Sequence, residues 1–67
     1  MYYESVKLGL NIRNLRLKKD ISQVYIANEL GVAKSFISVL EKGNANPTLT
    51  TITRIAKALG VSVNELF

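Results

Sequence analysis

The sequence predicts an all-α fold: one domain of five short helices over residues 1–67. Three observations carry the prediction. Apolar residues recur three and four positions apart along most of the chain, the period of a helix face and not the alternation of a strand. Gly31, Gly43 and Gly60 each follow such a segment, at the point where a left-handed residue ends a helix. Pro47 follows Asn46, and the residue before a proline is pushed out of the helical region, so residues 44–47 read as loop.

The first helix covers residues 3–19. Leu8, Ile12 and Leu15 fall at i, i+4 and i+7, with Arg13, Arg16, Lys18 and Lys19 on its other faces. Gly9 inside it costs about 1 kcal/mol relative to Ala and permits close packing. The second helix begins at Ser22, a good N-cap, and carries Val24, Ile26, Ala27 and Leu30 up to Gly31. The third covers residues 33–42, with Ile37 and Leu40 inward. The fourth starts at Thr48 and presents Leu49, Ile52, Ile55, Ala56 and Leu59. Its threonines have strand propensity, but the apolar spacing fits a helix. The fifth is short and opens on Ser62-Val63-Asn64-Glu65, a capping box.

Composition narrows the function. The net charge of +4 favours an anionic partner without identifying one. There is no Cys and no His. Disulfides, thiolate metal sites, most nucleophilic triads and the usual neutral-pH base are thereby removed. Ser35 and Ser38 have no histidine to activate them, so no enzyme, metal site or cofactor is expected, and no small-molecule ligand. The first residues lack the basic flank and apolar run of a signal peptide. Every apolar run is far below the roughly 18 residues that span a bilayer. The expectation is a soluble cytoplasmic protein with no membrane role.

Residues 22–42 read as a unit. Two short helices joined by a three- or four-residue turn containing Gly describe a helix-turn-helix. Ala27 is small where the helices cross, Gly31 redirects the chain, and Ile37 plugs the space between them. The outward face of the third helix is left with Lys34, Ser35, Ser38 and Lys42. A lysine there can donate to guanine O6 and N7, a serine can serve either kind of base, and Ala33 and Val39 can pack on a thymine methyl.

Arg13-Asn14-Leu15-Arg16, Ser22-Gln23-Val24-Tyr25-Ile26-Ala27, Leu30-Gly31-Val32, Ile37-Ser38-Val39-Leu40-Glu41-Lys42-Gly43, Asn46-Pro47 and Ala58-Leu59-Gly60-Val61-Ser62 closely resemble the Cro/C1-type helix-turn-helix family. The likeness covers residues 8–67. It implies a five-helix, lambda-repressor-like DNA-binding domain, a bacterial or phage regulator, with the third helix in the major groove of a palindromic operator and two copies bound. It further implies that Gln23 touches a phosphate and buttresses the recognition helix. Lys34 and Ser35 would face the bases, with Ser38 and Val39 one turn further along the same face, while Lys42, Asn44 and Asn46 would meet the backbone. Arg16 and Glu41 match a structural ion pair.

Three residues depart from the family pattern. Ala33 stands where Ser or Thr usually caps the third helix, Tyr25 replaces a capping-box Glu, and Val39 replaces a long polar side chain. The sequence leaves open whether Phe36, beside the reading face, packs inward or reaches DNA. The basic run on the first helix reads as a solvated face. Val61, Val63, Leu66 and Phe67 exceed what the core needs, which places homodimerisation at this end. The function expected is a sequence-specific transcriptional regulator, a repressor. The alternative is an antitoxin-type or other protein-interaction module on the same fold.

Overall fold

The computed structural model of the chain describes residues 3–67. Helix α1 spans Tyr3–Lys18, α2 Gln23–Leu30, α3 Lys34–Glu41 and α4 Leu49–Leu59; a single 3-10 turn follows at Val63–Leu66. No strand occurs among the described residues, and no described helix is long and apolar enough to cross a membrane.

Local chemistry sets the boundaries. The Ser22 hydroxyl accepts the Tyr25 N–H at 3.0 Å, and the Thr48 hydroxyl accepts the Thr51 N–H at 3.2 Å, so α2 and α4 each start on a satisfied cap. Gly31 and Gly60 close the same helices with φ of 70° and 73°, a conformation that disfavours any residue with a β-carbon. Ala33 offers α3 no side-chain cap.

The fifth element is a turn and not an α-helix, so four α-helices occur among the described residues. Its bonds run i→i+3: the Glu65 N–H reaches the Ser62 carbonyl at 3.1 Å and the Phe67 N–H the Asn64 carbonyl at 3.2 Å. The capping box is formed, with the Ser62 N–H donating to Glu65 Oε2 at 3.0 Å. Such a box marks where helical structure begins but not which kind follows. Residues i and i+3 eclipse in a 3-10 turn, and this brings Val63 and Leu66 together onto the core. Asn11 of α1 holds the turn in place, donating from Nδ2 to the Leu66 carbonyl at 2.9 Å and to the Phe67 carbonyl at 3.2 Å.

Ile12, Ile26, Ile37, Leu40, Ile55 and Leu66 are fully buried at the centre. Each contributes about 1.5–3 kcal/mol by leaving water. Helix α3 packs chiefly on α2 and α1, while α4 packs on α2 and the terminal turn. Two apolar residues expected inside lie outside. Val24 is 48% exposed, because α2 buries Ile26, Ala27 and Leu30 and a residue two positions before Ile26 faces the opposite way. Leu49 is 72% exposed, in the first turn of α4 and one turn short of Ile52, where the core begins.

Candidate nucleic-acid interface

Helix α3 has two faces of opposite character. Ile37, Leu40 and Glu41 are buried, and Phe36 packs half-buried against the core, which settles its direction. Lys34, Ser38 and Lys42 follow one another at i, i+4 and i+8 along the outer side, with Ser35 and Val39 in the next row. Lys34, Ser35 and Lys42 are exposed, Ser38 is half-buried and Val39 keeps 42% of its surface in solvent. Among the described residues none of these four polar side chains makes an intramolecular hydrogen bond or ion pair. Ala33 sits exposed at the head of this face, and Asn44 and Asn46 are exposed in the loop after it.

The inner edge of the face is held by a buried polar cluster. Arg16 of α1 donates from Nε to Glu41 Oε2 at 2.7 Å and from Nη2 to Glu41 Oε1 at 2.9 Å. Its Nη1 reaches the Ile21 carbonyl at 3.0 Å, across the turn into α2. Gln23, the first residue of α2, donates from Nε2 to Glu41 Oε1 at 3.0 Å. One carboxylate thus joins α1, α2 and α3. The hydrogen bond to Glu41 raises the Arg16 pKa above the ordinary guanidinium value, with the Coulombic attraction of the same carboxylate adding to it against the opposing effect of burial. No buried side-chain nitrogen or oxygen among the described residues lacks a partner.

Between α1 and α3 this cluster opens into a groove of about 590 Å³ whose lining includes Arg13, Gln23, Ser38 and Lys42. Arg13 therefore stands across the groove from the C-terminal end of the outer row. On the sequence it reads as part of a solvated face, since helical period alone cannot tell which exposed cation borders another helix. Asn11 was missed for a similar reason: an asparagine mid-helix gives no sign of a carbonyl 55 residues away.

The C-terminal apolar group divides. Leu66 is fully buried and has no surface to offer a second chain, so it belongs to the core and not to an interface. Val61 and Val63 are half-buried against the core, and Phe67 is 53% exposed.

Comparison with known proteins gives a consistent result. The family model described as helix-turn-helix matches residues 12–66. The chain is 42% identical over 55 residues to the cryptic phage CTXphi transcriptional repressor RstR of Vibrio cholerae, covering 82% of this chain and 50% of that one. It is 39% identical to control protein C.BamHI of Bacillus amyloliquefaciens, covering 87% and 73% respectively. The chain thus spans about half the length of the Vibrio relative. Its fold matches the restriction-modification controller protein C.AhdI from Aeromonas hydrophila with a TM-score of 0.91 at 36% identity, over 98% of this chain and all of the other.

Proposed function

The chain belongs to the Cro/C1-type helix-turn-helix family, and on that premise we propose that it is a sequence-specific DNA-binding transcriptional regulator, a repressor acting in the cytoplasm as a homodimer on a palindromic operator. One observation carries the reading. Helix α3 buries one face completely and presents on the other a row of polar side chains with no partner in the described protein. Unpaired donors at helical spacing on a helix braced from behind match the chemistry of base edges in a major groove.

The roles divide by chemistry. Lys34, at the head of α3, donates to guanine O6 and N7; Ser35 and Ser38 serve neighbouring base edges; Val39 and Ala33 pack on thymine methyls. Gln23, Arg13, Lys42, Asn44 and Asn46 meet phosphates, which fix register and carry no sequence information. Two copies related by a two-fold axis, meeting through Val61, Val63 and Phe67, set their α3 helices about 34 Å apart, one turn of DNA.

Fluorescence anisotropy on a palindromic duplex selected from a random pool and on its scrambled counterpart, across a salt series, tests the proposal. The expected outcome is at least about 1,000-fold tighter binding to the palindrome at physiological salt, with both affinities falling as salt rises. Equal affinity for the two duplexes rules out sequence-specific regulation.

A further inference from the structure

Gly9, near the middle of α1, abuts the end of α3. A β-carbon at this position would run into the Leu40 carbonyl oxygen and stand 2.9 Å from that of Glu41. Both are backbone atoms, so no side chain can swing aside to make room. A second close approach lies just past α3, where a β-carbon on Gly43 would stand 2.9 Å from the Cα of Val6 and 3.1 Å from its Cγ2. Val6 and Gly9 are neighbours on one side of α1, three residues apart. Arg16, which holds Glu41, lies two turns further along the same helix. Helix α3 packs chiefly on α2 and α1, so α1 is one of its two main supports.

We infer that Gly9 is a positioning residue for the recognition helix. Its missing side chain fixes how closely α1 approaches the carbonyl end of α3, and so sets the depth and tilt at which Lys34 and Ser35 meet base edges. The inference rests on DNA reading by α3. A methyl group at position 9 forces the two backbones apart by more than about half an ångström before ordinary contact is restored. Lys34 lies about 9 Å along the helix from Leu40, so a tilt imposed at one end is carried to the other. Groups that read base edges must be held within about 0.5 Å of their productive geometry. Attraction to phosphates is far less sensitive, because it does not depend on the identity of the base and acts over longer distances.

The experiment compares wild type, Gly9→Ala, Val6→Ala and Ile55→Val on a duplex selected from a random pool and on its scrambled counterpart. Each protein is measured at a temperature where circular dichroism shows it folded. Ile55→Val removes a methylene from the core in α4 and controls for lost stability. Gly9→Ala is expected to reduce the ratio of selected to scrambled affinity by about tenfold or more, the size of one good base contact. Its scrambled-duplex affinity and salt slope stay at wild-type values, and Ile55→Val keeps the full ratio. Val6→Ala trims the Cγ2 at the second close approach, leaves the Val6 Cα in place, and lowers the ratio in the same direction without a clash; it decides the matter should Gly9→Ala fail to fold. A folded Gly9→Ala protein with an undiminished ratio, or an undiminished Val6→Ala where Gly9→Ala does not fold, overturns the inference. A wild-type protein that does not discriminate between the duplexes overturns the DNA-reading proposal, and this inference with it.

Discussion

Arg16 and Glu41 form a bidentate ion pair across the α1–α3 seam, with N···O distances of 2.7 and 2.9 Å and both residues buried. Removing either partner strands the other charge away from water. Glu41→Ala or Arg16→Ala is therefore expected to cost about 3–5 kcal/mol. That approaches the whole margin of a domain this small, about 3–10 kcal/mol. Arg16→Lys also destabilises, because an ammonium cannot reproduce the fork. The double variant Arg16→Met/Glu41→Leu is expected to be more stable than either alanine single. Urea denaturation of the four variants measures this, and additive losses would contradict the account.

Helix α3 begins without a side-chain cap, although Ala33 has φ −72° and ψ 148°, the extended conformation of an N-cap residue. Ala33→Ser is expected to stabilise the protein by about 1 kcal/mol. In thermal unfolding this raises Tm by roughly 4–8 °C. An unchanged Tm would show that the N–H groups of the first turn already lose nothing to water.

The helix boundaries were legible because their signals are local. Ser22, Thr48, Gly31 and Gly60 act on the backbone within a few residues of themselves, and the structure uses each as its chemistry suggests. The nature of the last element was not legible, since Ser62 and Glu65 form the same box at the head of an α-helix or of a 3-10 turn. Leu66 illustrates a second limit. Counting apolar residues gives a surplus at the C-terminus, but only packing decides which of Leu66 and Phe67 fills the core. At the candidate site, the outward row of α3 could be read from periodicity. The positions of Arg13 at the groove and Gly9 against the Leu40 carbonyl are long-range relationships without a local signature.

The lysines on and beside α3 are expected to differ in kind. Lys34→Ala should relax specificity at one base pair, at about 1–3 kcal/mol, and leave other positions unchanged. Lys42→Ala and Arg13→Gln should each weaken binding to all sequences alike and lower the salt slope by about one unit. Isotherms on single-base operator variants across salt distinguish the two patterns. A uniform loss from Lys34→Ala would make it a phosphate contact.

The chain has no histidine, so no side chain with an ordinary pKa near 6.5 titrates between about pH 5.5 and 7. The Arg16 pKa is raised on folding, chiefly by its hydrogen bond to Glu41. A raised value means that this contribution is fully present below the unfolded arginine pKa and is lost only as pH rises through the still higher folded value. Tm and operator affinity are therefore expected to be flat between about pH 5.5 and 7. A transition within that window, followed by calorimetry and anisotropy, would contradict this expectation.

The central claim is that two copies of α3 read a symmetric DNA site. Selection from a random-sequence duplex pool tests it most directly, because specificity, symmetry and spacing emerge from one data set. The account predicts an enriched palindrome with half-site centres about 10–10.5 base pairs apart, and with guanine and thymine at the positions facing Lys34 and Val39. A pool that remains random after repeated rounds would contradict it.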